Sequence, residues 1–392
     1  MLFRRLATVA MALTLAGCSS SDSSSPWKAL PDGALGEGLV RLVHAAGQPQ
    51  ELVGVGSVTV DGNRVPALWR TTDGASWLRL DTVPKSPYGF VSELTTVAMA
   101  ADGRAAAIGQ AVGGTHGNPR VGSWYLDGST LVEVTADVEL YGGPRQGAVN
   151  EMAAGPAGFV VVGTRTDRNE RTGAASWTSP DARTSFTIHD ADPALESAPG
   201  EIVRALAVAG DERGYLAAGD RFVSGTGRLD SDAMFWTSPD GQAWARLDLG
   251  ALPAGHGSEL PEVATAWQGG WAVAGTDSAD GRTSLVVWSS PDGATWHRAA
   301  VDATDADPDG SSAATSIAEA GGELVVGARL GGRLAAARST DGVTCTEVGL
   351  PGGVPSGSHA VVLAAPASNR LVLAATGDDT STRIWSQPWP PG

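Results

Sequence analysis

An acidic segment offers the most direct chemistry in this sequence. The stretch DATDADPDGSS, residues 302–312, places carboxylates at Asp305, Asp307 and Asp309 and follows them at once with a glycine. Alternating carboxylates on a chain that glycine turns inward supply the oxygen ligands that Ca²⁺ prefers. A calcium loop of this type carries glutamate at its twelfth position, where this chain has Ser316. The pattern predicts a structural Ca²⁺ site, with a solvated acidic loop as the alternative, and no other cofactor is indicated.

The second reactive group is the thiol of Cys18, at the end of MLFRRLATVAMALTLAGC. The apolar run before it is too short to span a bilayer core but suits the apolar centre of a signal peptide. The order of positive charge, apolar run, small residues and cysteine resembles the lipobox of bacterial lipoproteins. This resemblance implies a signal peptide at residues 1–17 and a diacylated Cys18 as mature N-terminus. An ordinary secretory signal with a chance cysteine is the alternative.

Residues 18–25 hold this cysteine and a serine-rich stretch that cannot bury apolar surface, so we expect a flexible tether. The lipid would attach the exported protein to the outer face of the cell membrane. The net charge is −16, and an acidic surface of this size repels phosphate backbones, which argues against nucleic-acid binding. Cys345 would then have no cysteine partner, and it stands where related segments carry an aromatic residue.

Three polar residues, Arg41, Asn150 and Arg204, interrupt short apolar runs. If these runs are the innermost strands of a ring-shaped fold, the three side chains can line its central channel. Two arginines in a channel could bind an anionic substrate. They could equally form ion pairs with Glu151 or Glu201, which is the structural alternative.

A repeated motif identifies the elements that must position these groups. FWTSPDGQAW, Phe235 to Trp244, returns as VWSSPDGATW, Val287 to Trp296, and LWRTTDGASW begins at Leu68. Weaker copies bring the motif to seven. Its first aromatic position falls, in chain order, at Trp69, Trp124, Trp177, Trp236, Trp288, Ala337 (the exception) and Trp385. A period near 50 residues is typical of propellers and solenoids.

Each period contains four strand-length apolar runs separated by Gly, Asp, Pro or Ser, and no amphipathic helix is evident. Four strands per period indicate a propeller blade. The SPDG segment would join the third and fourth strands, with Asp-Gly supplying the positive φ angles of a tight hairpin. The flanking tryptophans would pack between neighbouring blades.

The last repeat lacks a fourth strand, and the segment just after the tether resembles one. PWKALP, which starts at Pro26, matches the fourth strands of other repeats. We therefore expect Trp27–Leu30 to be the outer strand of the last blade, which would close the ring and leave no exposed sheet edge. The predicted fold is an all-β, seven-bladed β-propeller of four-stranded antiparallel blades over residues 26–392.

The turn S-x-D-G-x-T-W at Ser290–Trp296 resembles the Asp-box, or BNR repeat, of sialidase-like propellers, although it is one residue shorter. Sialidase chemistry would imply a Tyr/Glu nucleophile pair, an arginine triad and an aromatic-Arg-Ile-Pro motif. The nearest candidates are Tyr141 with Glu139, and NRVP at Asn63–Pro66, which lacks the aromatic residue. Asp-boxes are usually structural, so the resemblance predicts the fold better than the activity.

The expected function is therefore a non-enzymatic binding or scaffold module on the outer face of the bacterial membrane. Its partners would be the membrane, through the N-terminal lipid, and an extracytoplasmic protein or glycan. The alternative is a cell-surface hydrolase, a sialidase-like glycosidase acting at the channel mouth. Arginines and a carboxylate pair converging there would favour the hydrolase.

Overall fold

The computed structural model describes residues 26–48, 50–113, 118–166, 170–224, 231–249, 252, 257–306, 312–355, 360–364, 369–377 and 380–389. Regular structure in these ranges is almost entirely β-strand, with a 3-10 turn at Gly89–Val91 and one helical turn, α1, at Val138–Tyr141. Four residues are too few for an amphipathic face, so α1 leaves the architecture all-β. Neither helix of this described part combines the length and apolar character needed to span a bilayer.

The strands follow one another along the whole described chain. The first nine are β1 (Lys28–Ala29), β2 (Leu39–Gln48), β3 (Glu51–Val60), β4 (Asn63–Thr71), β5 (Leu78–Val83), β6 (Glu93–Met99), β7 (Ala105–Ala111), β8 (Arg120–Asp127) and β9 (Thr130–Val134). The next eight are β10 (Gln146–Gly155), β11 (Gly158–Thr166), β12 (Thr172–Ser179), β13 (Thr187–His189), β14 (Glu201–Asp211), β15 (Gly214–Val223), β16 (Ser231–Ser238) and β17 (Ala245–Arg246). The last eleven are β18 (Ser258–Trp267), β19 (Gly270–Ala279), β20 (Arg282–Ser290), β21 (His297–Ala306), β22 (Ala313–Ala320), β23 (Glu323–Leu330), β24 (Arg333–Ser339), β25 (Thr346–Glu347), β26 (Ala360–Ala364), β27 (Arg370–Thr376) and β28 (Arg383–Pro388).

Hydrogen bonding groups most of these strands in fours. Four of the sheets have the orders β10-β11-β12-β13, β14-β15-β16-β17, β18-β19-β20-β21 and β22-β23-β24-β25, and another has the order β1-β28-β27-β26. Lys28 pairs with Ser386 and Ala29 with Trp385, as predicted for the segment Trp27–Leu30. The chain is an all-β protein of several four-stranded antiparallel sheets, an arrangement consistent with a β-propeller.

The first two repeats depart from this pattern, because β2 to β9 form one eight-stranded sheet in the order β2-β3-β4-β5-β9-β8-β7-β6. The joint is a parallel pairing of β5 with β9, in which Asp81 faces Thr130 and Val83 faces Val132. Only the beginning of β5 pairs with β4, so its second half is free to add to β9. The sequence pattern gives no sign of this outer contact.

We call β2, β6, β10, β14, β18, β22 and β26 the first strands, since each begins a repeat. Each first strand contacts the next one along the chain, and β26 contacts β2. The segment just before β28 also bonds to β2: Thr382 donates its N–H to the Val40 carbonyl (2.8 Å), and its Oγ1 accepts from the N–H of Leu42 (2.9 Å). The two ends of the described chain therefore meet.

A β-bulge interrupts the pairing of the first and second strands at a similar point in six repeats of the described chain. In five of them a glycine of the second strand lies opposite: Gly56, Gly109, Gly163, Gly219 and Gly275. A Cβ on any of these except Gly109 would lie within 2.1 Å of a first-strand carbonyl oxygen. This close approach explains the glycine that ends the second apolar run of these repeats.

The third-strand tryptophans are buried against the preceding sheet, as the sequence predicts. Trp69 packs with Val372 and Ile384 of the last sheet, and Trp236 packs with Val160 of the sheet before its own. The tryptophans buried in this way are Trp69, Trp124, Trp177, Trp236, Trp288 and Trp385. Each holds two sheets together through roughly 150–250 Å² of apolar surface.

Most motif turns are longer than the tight hairpin expected, and in these only the residue at the glycine position takes positive φ, for example Gly293 at 74° and Ala182 at 57°. The aspartate instead accepts two backbone N–H groups. Asp292 Oδ1 accepts from Ala294 (2.9 Å) and Thr295 (2.6 Å). These bonds lower the pKa of Asp292 to about 2, and the corresponding bonds do the same for Asp73 and Asp341. The motif is a structural loop closed by its own side chains.

Candidate functional site

A cavity of about 250 Å³ lies among the ends of β2, β6, β10, β14, β18 and β22. Because six first strands line it, the cavity lies at the point on which the sheets converge. Its lining is mostly alanine and backbone. The longer polar side chains around it are His44, Gln48, Glu151, Thr265 and Glu319.

His44 and Glu151 are hydrogen-bonded in this cavity, with 2.8 Å between His44 Nε2 and Glu151 Oε1. The N–H of Val97 donates to His44 Nδ1 (3.3 Å), so Nδ1 accepts and Nε2 carries the proton. Thr96 donates its hydroxyl to Glu151 Oε1 (3.3 Å). Both imidazole nitrogens are therefore engaged within the fold. Sequence reasoning missed this pair because its members lie on strands two repeats apart.

Arg41 is held away from this cavity by Glu93, with 3.0 Å between Arg41 Nε and Glu93 Oε1. The same carboxylate accepts from the Ser57 hydroxyl (2.9 Å) and from Arg64 Nη1 (3.0 Å). Arg41 thus forms an ion pair, which was one of the two possibilities considered from the sequence, but with Glu93 and not with Glu151. Glu93 lies on the adjoining first strand, which is nearer to Arg41.

Arg204 makes a two-pronged ion pair with Asp220 on its own sheet, at 2.8 Å from Nε and 2.5 Å from Nη2. Asp220 is 1% exposed. Its hydrogen bonds raise the pKa of Arg204. Glu201, the partner considered from the sequence, lies instead 3.7 Å from Arg246 and 3.9 Å from Arg221.

Asn150 links two sheets by donating its side-chain amide to the Ala205 carbonyl on the next first strand (2.7 Å). Glu262 occupies the corresponding bulge on β18 and accepts the N–H of Ala314 on the next first strand (2.7 Å). Arg41, Asn150 and Arg204 are therefore each bonded to a different partner, and none of them lines the cavity. In the fold these three side chains hold strands in place.

Burial raises the pKa of Glu262 to about 8, although Ala314, Thr276 and Arg329 lower it in part. Between its unfolded pKa, about 4.5, and 8, the folded state binds more protons than the unfolded state, so stability falls as pH rises. We expect the free energy of unfolding to drop by on the order of 3 kcal/mol across this interval. Glu262→Gln should remove the drop, since its amide oxygen still accepts from Ala314. Urea unfolding of both proteins from pH 5 to pH 9 checks this, and parallel profiles would contradict it.

The Tyr141 and Glu139 pair does not have the geometry of a nucleophile and its base. Tyr141 is buried at the end of α1 and packs on Trp177, with ring centroids 5.9 Å apart. Burial raises the pKa of Tyr141 well above its ordinary value, while the neighbouring Ser123 hydroxyl lowers it slightly. The backbone carbonyl of Glu139 accepts from Arg165 (3.1 Å). A neutral phenol is a poor nucleophile.

Other predicted sites lie partly or wholly outside the described residues. Cys18, Asp307 and Asp309 are outside them, and Asp305 is in β21, where it pairs with Thr283. In the ranges that the structure does describe, no three His, Cys, Asp or Glu side chains cluster closely enough to hold a metal ion. Cys345 is a free thiol packed against apolar side chains, and burial raises its pKa to about 11.

No protein-family model and no curated protein sequence matches this chain. Solved structures similar to it include the phage phi92 endosialidase (8% identity, TM-score 0.48, covering 92% of this chain and 68% of that one). Others are a Penicillium chrysogenum α-L-arabinanase (13%, 0.46, 89% and 93%) and a Dyadobacter fermentans protein of unknown function (14%, 0.45, 89% and 95%). Similarities this remote carry no information about what the chain binds or catalyses.

Proposed function

We propose that this chain is an exported, lipid-anchored, seven-bladed β-propeller that acts as a non-enzymatic binding module on the outer face of the membrane. Seven blades are supported by the first strands, each of which contacts the next until β26 meets β2. The pairing of β1 with β28 and the bonds from Thr382 to Val40 support ring closure. The contact between β5 and β9 would then join the outer edges of two blades.

One observation carries the binding function. In the 250 Å³ cavity among the first strands, which we call the channel cavity, His44 and Glu151 are both hydrogen-bonded to groups of the protein itself. A general base needs an imidazole nitrogen free to take a proton from the substrate. In His44 one nitrogen accepts from Val97 and the other donates to Glu151. Arg41 and Arg204 are held by Glu93 and Asp220. The cavity thus offers shape and fixed hydrogen-bonding groups, which suit the recognition of an extracytoplasmic protein or glycan.

The competing function, a sialidase-like hydrolase, makes a different experimental prediction. A panel of chromogenic glycosides, including a sialoside and an arabinoside, is incubated with the purified full-length chain. We expect no turnover above that of the Glu151→Gln variant. A different result would favour hydrolysis. If the unaltered chain turns over a glycoside, and Glu151→Gln or His44→Ala abolishes this turnover while Glu319→Gln does not, the binding function is wrong.

The lipid anchor is tested by Cys18→Ser in a bacterial host that processes lipoproteins. We expect the unaltered chain to incorporate labelled palmitate and to fractionate with membranes. The Cys18→Ser variant should incorporate no palmitate and appear in the soluble exported fraction, because without the lipid nothing attaches the exported chain stably to the membrane. The matched control is Cys345→Ser, which should behave as the unaltered chain does. Membrane association that survives Cys18→Ser would defeat the anchor.

A further inference from the structure

A recurring hydrogen bond is absent at one third-strand tryptophan. In three repeats the indole Nε1 donates to a carbonyl of the connection that enters the repeat from the preceding fourth strand. These bonds run from Trp69 to Leu35 (2.8 Å), from Trp177 to Leu140 (2.9 Å) and from Trp236 to Ala194 (2.8 Å). Trp124 occupies the same position and is 0% exposed, yet its Nε1 has no partner among the described residues. A buried donor without an acceptor costs about 1–3 kcal/mol.

The connection that should supply this acceptor is held elsewhere, by Glu133 on β9. Its carboxylate accepts from the N–H groups of Lys85 (2.5 Å) and Ser86 (2.8 Å) and from the Ser86 hydroxyl (2.6 Å). The parallel pairing of β5 with β9 leads the chain to this position. Gly89 lies so close that a Cβ would be 2.1 Å from Glu133 Oε2. The outer contact between the first two repeats thus directs the connection away from Trp124.

A cavity of about 260 Å³ fills the space beside this tryptophan. Most of its wall is apolar, formed by the side chains of Tyr88, Val121, Trp124, Val134, Val138 and Tyr141. Tyr88 and Val138 are also exposed to solvent, so the cavity has an apolar mouth. A small cavity with apolar walls and a few fixed polar groups is the usual form of a ligand site.

Arg120 adds a second unpaired donor to the same cavity. Its guanidinium carbon lies 5.6 Å from the centre of the Tyr88 ring, and its Nε is buried without a hydrogen-bond partner in the described chain. The guanidinium is always charged and matches the geometry of a carboxylate. The wall of this cavity therefore holds one cationic and one neutral N–H donor. Both nitrogens lie just beneath the accessible surface, so a bound carboxylate reaches them as the neighbouring side chains shift.

We propose that this cavity binds a small monocarboxylate with an apolar, ring-sized body, whose carboxylate accepts from Arg120 and Trp124 and whose body contacts Tyr88 and Tyr141. The Glu133 carboxylate also lines the cavity. Its charge makes a dianion such as a phosphate monoester a poorer occupant. The site is separate from the channel cavity and does not depend on the lipid anchor.

The test uses the full-length chain in mild detergent, labelled with ¹⁵N at the tryptophan indoles and titrated with benzoate. The Trp124 resonance, identified by its loss in Trp124→Phe, should shift with benzoate and not with benzyl alcohol or phenyl phosphate. Arg120→Gln should weaken benzoate binding about tenfold or more. Arg183→Gln is the matched control, because Arg183 also lies over a tyrosine ring, that of Tyr125 at 4.9 Å, outside this cavity. Its affinity should be unchanged.

If Trp124→Phe does not fold, the same resonance is identified as the one whose benzoate response Arg120→Gln removes. An indole spectrum unmoved by benzoate overturns the proposal, and so does an equal response to benzyl alcohol. Equal weakening by Arg120→Gln and Arg183→Gln also overturns it, since it would reflect net charge alone. None of these results bears on lipidation at Cys18 or on turnover at the channel, which are tested separately.

Discussion

Replacing Gly219 with alanine is expected to destabilise the protein by about 3 kcal/mol or more, because the new methyl group has no room. Its Cβ would lie 1.8 Å from the Arg204 carbonyl oxygen and 3.0 Å from Ala205 Cα. Both neighbours are backbone atoms of the bulged first strand, so no side chain can rotate away. The strands would have to separate, and the Arg204–Asp220 pair would be disturbed with them.

The matched control is Gly349→Ala, at a glycine with nothing within 4 Å of a built Cβ. Urea unfolding of both variants should show a large loss for Gly219→Ala and a change within about 0.5 kcal/mol for Gly349→Ala. The fold accepts alanine at the equivalent position in two repeats, as Ala328 and Ala375. A Gly219→Ala protein as stable as the unaltered chain would mean that all repeats have such room, and that the bulge does not demand glycine.

Much of this architecture could be predicted because its signals are local and repeated. The spacing of the tryptophans predicts the strand groups, and the match of PWKALP to other fourth strands predicts the pairing of Lys28 with Ser386. The first-strand bulges were not predicted, since one extra residue in a small-apolar run leaves no distinct pattern. The parallel contact of Asp81 with Thr130 was missed because it joins two repeats that the period treats as separate.

The contacts within the candidate sites were harder to predict, because they too depend on bulges and on contacts between repeats. A bulge shifts the register by one residue, and this decides which side chains reach a neighbouring strand. Arg41 therefore meets Glu93, and Glu151 is left to His44. The cavity beside Trp124 exists because one connection is held on β9 by Glu133. No sequence motif indicates that the Trp124 indole lacks a hydrogen bond. The missing bond is recognised only by comparison with Trp69, Trp177 and Trp236, whose indoles are bonded.

Removal of the outer strand of the last sheet is expected to cost roughly 5 kcal/mol. Trp27 is buried with Trp385 and Trp389, and its indole donates to the Gly349 carbonyl (2.8 Å). Leu30 donates its N–H to the Ile384 carbonyl (2.8 Å). A chain that begins at residue 31 loses these contacts and exposes β28 as a sheet edge, so we also expect aggregation.

The control is a chain that begins at residue 26, which removes the predicted signal and tether and should unfold at the same urea concentration as the unaltered protein. Trp27→Ala separates packing from strand pairing and should cost about 3–5 kcal/mol. The form of the loss distinguishes two architectures. In an open array of sheets, loss of the outer strand would loosen the last sheet and leave the main transition in place. In a closed ring β26 also supports β2, so the whole transition should move to lower urea as one cooperative step.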